Sequence, residues 1–135
     1  MAPAQAKTIV IADDYPQFRS FLRKQLNGNG FRIVAEASNG REAVEKVAEL
    51  QPDLVLLDIT MPYLNGITAA AQIRSVAPET KILFVSQNAD PDIIGTALSD
   101  GASGYVYKPK INSELLPAIE AVLNGKRFVS ILPRT

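Results

Sequence analysis

Five short apolar runs alternate with five longer amphipathic stretches, and this alternation limits the chain to very few folds. The runs are Thr8–Ala12 (TIVIA), Arg32–Ala37 (RIVAEA), Asp53–Asp58 (DLVLLD), Lys81–Val85 (KILFV) and Gly104–Tyr107 (GYVY). Each is followed by a segment with apolar residues at helical spacing: Pro16–Leu26, Gly40–Leu50, Ile67–Val76, Pro91–Ser99 and Asn112–Leu123. Asn65-Gly66 and Asp90-Pro91 read as helix starts, and Asn27-Gly28-Asn29-Gly30 and Asp100-Gly101 as stops. Strands that are apolar throughout and alternate with helices predict a parallel sheet covered on both faces. Right-handed crossovers make it a doubly wound α/β sandwich.

For five strands the expected order is 2-1-3-4-5, the flavodoxin-like arrangement. The 135 residues fit one domain, predicted over 8–128. Residues 1–7 read as a disordered or loosely attached start, and 129–135 as a tail or the beginning of an output linker. The stretch Gly125–Thr135 shows no helical periodicity.

Composition then narrows the chemistry. There is no cysteine, which excludes disulfides, thiolate metal sites and thiol nucleophiles. There is no histidine, which excludes a Ser–His–Asp triad, an imidazole base and the usual zinc sites. Lys+Arg and Asp+Glu are 14 each, which argues against direct DNA contact or adsorption to a membrane surface. No apolar run approaches the roughly 20 residues needed to cross a bilayer, and MAPAQAK lacks the apolar core of a signal peptide. A cytoplasmic location is expected. Chemistry is left to carboxylates, hydroxyls, lysines and a hard metal ion.

In such a sheet ligands bind beyond the carboxyl ends of the strands, at the topological switch point. The first strand ends in Asp13-Asp14, the third in Asp58, the fourth in Ser86 and the fifth in Lys108. In the expected order the first and third strands are neighbours, so their carboxylates converge, flanked by Ser86 and Lys108. Two unit charges ~4 Å apart repel by roughly 4 kcal/mol at an effective dielectric of ~20. A divalent cation offsets this, and an all-oxygen site favours Mg²⁺, Mn²⁺ or Ca²⁺. Carboxylate nucleophile, metal, lysine and hydroxyl together suit phosphoryl transfer to an aspartate.

Each residue alone has a plainer reading. Asp13-Asp14 before Tyr15-Pro16 resembles a helix cap, and a lone Ser or Lys after a strand is usually solvated. The Phe18/Phe21/Leu22 stripe reads as core, and Glu42, Glu45 and Glu49 as a solvated helix face. Gly28-Asn29-Gly30 follows a helix and has Ile33 where a dinucleotide fingerprint needs its third glycine. The joint occurrence at four strand ends carries the functional reading.

At these residues the chain resembles the receiver domain of two-component response regulators. IVIADDYP, LVLLDITMPYLNG, ILFVSQ and GASGYVYKP match the family's acidic pair, phosphoacceptor segment, hydroxyl and aromatic–x–x–Lys-Pro elements. The intervals Asp13 to Asp58, Asp58 to Ser86 and Ser86 to Lys108 fit as well. The wording through ELLPAIEAVLNGKRFVS looks most like receivers that precede a LuxR-type helix-turn-helix output. The resemblance implies a CheY-like fold, with Asp58 phosphorylated by a sensor histidine kinase. It implies Mg²⁺ (or Mn²⁺) held by Asp13, Asp14, Asp58 and the Thr60 backbone carbonyl. It places Lys108 and Ser86 on the phosphoryl group, makes Tyr105 the aromatic that turns inward on activation, and makes the Lys108–Pro109 bond cis. If that switch operates, the phosphorylated form is expected to self-associate as a homodimer through the face made by the fourth helix, fifth strand and fifth helix. Gln87 stands where the family usually has a small residue, and is expected to crowd the pocket. The chain is expected to be either cut from a longer regulator or a stand-alone receiver.

Other classes remain in view. A phosphatase with an aspartyl-phosphate intermediate needs a second acid two residues after the nucleophile, where Thr60 stands. A flavin-type cofactor binder needs a hydroxyl-rich loop after the first strand, where Asp13-Asp14 would repel phosphate. A degenerate scaffold receiver would lack one of the acids or the lysine, all of which are present.

Overall fold

The computed structural model describes residues 6–132; most of the expected loose start and the last part of the tail lie outside the described residues. Its strands are β1 (Lys7–Ala12), β2 (Phe31–Ala37), β3 (Leu54–Leu57), β4 (Lys81–Ser86), β5 (Gly104–Tyr107) and β6 (Phe128–Val129). Its helices are α1 (Pro16–Leu26), α2 (Gly40–Leu50), α3 (Gly66–Val76), α4 (Pro91–Ser99) and α5 (Ile111–Leu123). A single 3₁₀ turn, Lys108–Lys110, leads into α5. The sheet is parallel throughout, in the order β2-β1-β3-β4-β5-β6.

Side chains alternate across the strands, as the pleat requires. Val10, Val55, Leu57 and Phe84 face α2, α3 and α4, packing with residues such as Val47, Ile73 and Ile94. Ile9, Ile11, Leu56 and Val85 face α1 and α5, packing with residues such as Leu22 and Ile119. Both layers are closed to solvent, so the central strands β1 and β3 have no exposed face, which is why they read as continuous apolar runs. Helix starts follow the capping residues. Asn65 accepts from the Thr68 N–H at 2.9 Å, and Asp90 accepts from the Asp92 N–H at 2.9 Å with Pro91 behind it.

The sheet has six strands, one more than expected. After α5 the chain returns along the outer edge of β5, pairing Gly104 with Phe128 and Tyr105 with Val129. Gly104 makes this approach feasible, since a Cβ there would lie 2.4 Å from the Phe128 carbonyl oxygen. Ser130 is buried and locks the strand: its N–H donates to the Tyr105 carbonyl at 2.8 Å, and its Oγ accepts from the Tyr107 N–H at 2.8 Å. Its hydroxyl also donates to Glu114. A two-residue strand leaves no periodic signal, and its formation is driven by edge groups of β5 that would otherwise be unpaired.

Candidate functional site

The carboxyl ends of β1, β3, β4 and β5 meet at one cleft of about 300 Å³, lined by Asp14, Asp58, Thr60, Ser86, Asn88 and Lys108 among others. Asp58 follows β3 directly, and its N–H donates to the Ala12 carbonyl at 3.0 Å. That bond continues the β1–β3 pairing by one step and fixes the carboxylate against the acids after β1. The N-terminus of α3 closes the site from below: Gly66 donates to the Ile59 carbonyl at 2.7 Å, and a Cβ on Gly66 would lie 2.0 Å from the Asp58 carbonyl oxygen. Only glycine permits this contact.

Asp13 and Asp58 are 2% and 5% exposed, so both carboxylates are largely withdrawn from water. Asp13 Oδ1 accepts from the Tyr15 N–H at 2.9 Å, and Asp58 Oδ1 from the Thr60 N–H at 3.3 Å. The Lys108 ammonium stands 2.7 Å from Asp13 Oδ2 and 3.3 Å from Asp58 Oδ2. Both contacts are ion pairs, and the one to Asp58 is also a directed hydrogen bond. Burial pushes the Asp58 carboxyl above its ordinary range, Lys108 pulls it down, and Asp13 adds repulsion. Burial acts to lower the Lys108 pKa, but the Asp13 and Asp58 carboxylates outweigh it and hold the ammonium above its usual value.

The residues present fit a divalent cation. One oxygen from each of Asp13, Asp14 and Asp58 lies within 4.8 Å of the others, and Asp14 Oδ1 is buried without a hydrogen-bond donor. Three carboxylates against one ammonium leave two negative charges uncompensated. Hard oxygens with free lone pairs and that residual charge suit Mg²⁺ or Mn²⁺.

Four sequence expectations meet the structure here. Ser86, at the end of β4, is buried, and its Oγ accepts from the Asn88 N–H at 3.2 Å. Gln87 is exposed at the mouth of the cleft and does not fill it. The Lys108–Pro109 bond is trans, which corrects the cis expectation. Lys108 opens the 3₁₀ turn into α5, where the fixed φ of Pro109 already suits a helical start, and the lysine reaches Asp58 from there. Tyr105 is wholly buried, with its hydroxyl donating to the Asn88 carbonyl and, at 3.3 Å, to that of Ser86. The ring points inward, and burial pushes its pKa up to about 12. Two neighbours were not foreseen as part of the site. The Phe18 and Tyr15 rings lie 4.3 and 5.7 Å from the Lys108 Nζ. In sequence Phe18 reads only as core, because its spacing fits the apolar stripe of α1.

Residues 9–120 match the family model described as the response regulator receiver domain. The chain is 40% identical over 119 residues to the chemotaxis protein CheY of Bacillus subtilis, covering 88% of this chain and 99% of that protein. It is 38% identical over 125 residues to the oxygen regulatory protein NreC of Staphylococcus aureus, covering 91% of this chain and 58% of that protein. A LuxR-family two-component response regulator from Aurantimonas superposes with a TM-score of 0.87 at 35% identity, covering 95% of this chain and 91% of that one. Receivers act as signalling phosphoacceptors, generally bind Mg²⁺ at an acidic pocket, and work with histidine kinases and output domains. On the match over residues 9–120, and with the acidic pair, central aspartate, hydroxyl and lysine brought together in one cleft, this chain belongs to the response regulator receiver domain family.

Proposed function

We propose that Asp58 accepts a phosphoryl group from a sensor histidine kinase in the cytoplasm, and that the resulting acyl phosphate controls an output or partner. The observation that carries this is the convergence on Asp58 of two further carboxylates and the Lys108 ammonium in one cleft. An Asp58 carboxylate oxygen bonds to phosphorus in line with the departing imidazole nitrogen of the kinase; the P–N bond breaks, and the imidazole leaves with a proton from solvent. Asp13, Asp14, Asp58 and the Thr60 carbonyl would hold Mg²⁺, which when bound neutralises charge on the transferring group. Lys108 offers fixed positive charge to a phosphoryl oxygen, and the Ser86 hydroxyl offers a hydrogen bond. In this reading the chain is a switch rather than an enzyme turning over an external substrate. Self-association through the face of α4, β5 and α5 is part of the same proposal, with β6 forming that face's outer edge.

Intact mass after incubation with Mg²⁺ and acetyl phosphate tests the assignment. One phosphoryl group is expected on the chain and none on Asp58→Asn. Modification that persists in Asp58→Asn, or that proceeds unchanged in excess EDTA, would overturn it.

A further inference from the structure

We propose that Phe18 is a positioning residue for phosphorylation, its ring face holding the Lys108 ammonium beside Asp58; this rests on the reading of Lys108 as the phosphoryl-contacting lysine. Lys108 is 8% exposed, so its charge is satisfied almost entirely by protein. Two of its contacts are the carboxylates of Asp13 and Asp58, at 2.7 and 3.3 Å. The third is the Phe18 ring, whose centroid is 4.3 Å from Nζ, well inside the range of a cation–π contact. Tyr15 is a lesser contributor, at 5.7 Å and 61% exposed.

The Phe18 ring is itself held. It lies in the first turns of α1, its N–H donates to the Tyr15 carbonyl at 3.1 Å, and it stacks on Phe21 with centroids 5.9 Å apart. Its chemistry suits the task better than an acid would. A carboxylate in its place would add to the uncompensated negative charge and pin the ammonium away from an incoming phosphoryl oxygen. An aliphatic side chain would desolvate the ammonium and return nothing. A ring face attracts the cation without using a lone pair. A cation bound by Asp13 and Asp58 would draw on the same oxygens that hold Lys108 and would repel its charge. The attraction of the ring is left intact in that state.

A plain packing role predicts loss of stability without dependence on the lysine, so a double-mutant cycle separates the two. Phosphorylation by acetyl phosphate at saturating Mg²⁺ would be followed by intact mass for wild type, Phe18→Leu, Phe18→Tyr, Lys108→Met and the Phe18→Leu/Lys108→Met pair. Phe18→Leu should slow the reaction about three- to thirtyfold, the span from a partly exposed to a desolvated cation–π contact, while Phe18→Tyr stays near wild type. In the Lys108→Met background Phe18→Leu should have no further effect. Mg²⁺ affinity, read from tyrosine fluorescence, should change less than about twofold in Phe18→Leu, because Phe18 touches the lysine and not the acids. Equal slowing by Phe18→Leu with and without the lysine would overturn the proposal, as would an unchanged rate in Phe18→Leu. If Phe18→Leu does not fold, Phe18→Met enters the same cycle and is judged by the same outcomes. A wild-type rate in Lys108→Met refutes the underlying reading of the lysine; slowing there without slowing in Phe18→Leu refutes this proposal alone.

Discussion

Asp58 occupies a place that works against its own charge. It is buried, it faces Asp13, and the one ammonium within reach among the described residues is shared between the two. Its pKa is raised above the ordinary carboxylate value, first by burial, with Lys108 opposing and Asp13 reinforcing the shift. A carboxyl with a raised folded-state pKa binds its proton more tightly when folded. Its ionised form therefore costs stability, fully above the folded pKa, and the cost fades as pH falls through that value toward the ordinary one. Asp58→Asn keeps an acceptor for the Thr60 N–H and removes the charge. Without metal it should be more stable than wild type at neutral pH by about 1–2 kcal/mol, or several degrees in Tm, and the gap should narrow on acidification. Mg²⁺ should raise the Tm of wild type and do less for the variant, because binding to the folded state alone stabilises by mass action. Thermal unfolding across pH, with and without Mg²⁺, checks both. A variant less stable than wild type in metal-free buffer would show that Lys108 more than offsets burial.

At the scale of elements, two glycines separate packing from backbone freedom. Gly66 opens α3 against the Asp58 carbonyl, where an added Cβ would lie 2.0 Å from oxygen. Gly95 sits inside α4 with nothing within 4 Å of the same added atom. Gly66→Ala should cost about 3 kcal/mol or more and disturb phosphorylation, since either α3 or the Asp58 peptide must move. Gly95→Ala should stabilise by about 0.5–1 kcal/mol through helix propensity and the unfolded chain. Urea unfolding of the pair reads both signs, and similar losses in the two would refute the steric argument. The same elements show what was legible beforehand. Asp13, Asp58, Ser86 and Lys108 could be placed together because each terminates a strand, and the sheet order makes neighbours of β1 and β3. The helix starts at Asn65 and Asp90 could be read because capping is local chemistry. The orientation of Phe18 could not, because a residue on the α1 stripe can face either the core or the cleft, and only the packed rotamer decides. The trans bond before Pro109 and the inward ring of Tyr105 depend likewise on the tertiary surroundings of one torsion. β6 escaped because two residues carry no period, and its partner Ser130 reads in sequence as an ordinary polar tail residue.

At the scale of the whole molecule, the proposed switch would carry a signal from the cleft to the surface around β5. Tyr105 lies inside, packed beneath the segment that follows β4. The segment after β4 links the cleft to this tyrosine. The Asn88 N–H donates to Ser86 Oγ, and the Asn88 carbonyl accepts from the Tyr105 hydroxyl. A phosphoryl oxygen that draws the Ser86 hydroxyl toward it competes for the first of these bonds and shifts the second. Such a change favours one state only by differential contact free energy. Tyr105 is joined in turn to the tail, through the Ser130 N–H on its carbonyl, and Phe128 and Leu132 pack on opposite hydrophobic layers across the edge of the sheet. The tail therefore clasps the strand that bears the tyrosine and covers the edge through which α4, β5 and α5 would meet a partner. Amide exchange with Mg²⁺ and beryllofluoride should change protection within residues 86–107 and also at 128–130, whereas the amides of β1 should stay as they were. Ser130→Ala leaves the Tyr107 N–H without its acceptor at a cost of about 1–3 kcal/mol, and should raise exchange in β5 and β6 even without the mimic. If the tail amides are unmoved while 86–107 respond, the tail is a fixed clasp, and self-association through that face would have to accommodate it.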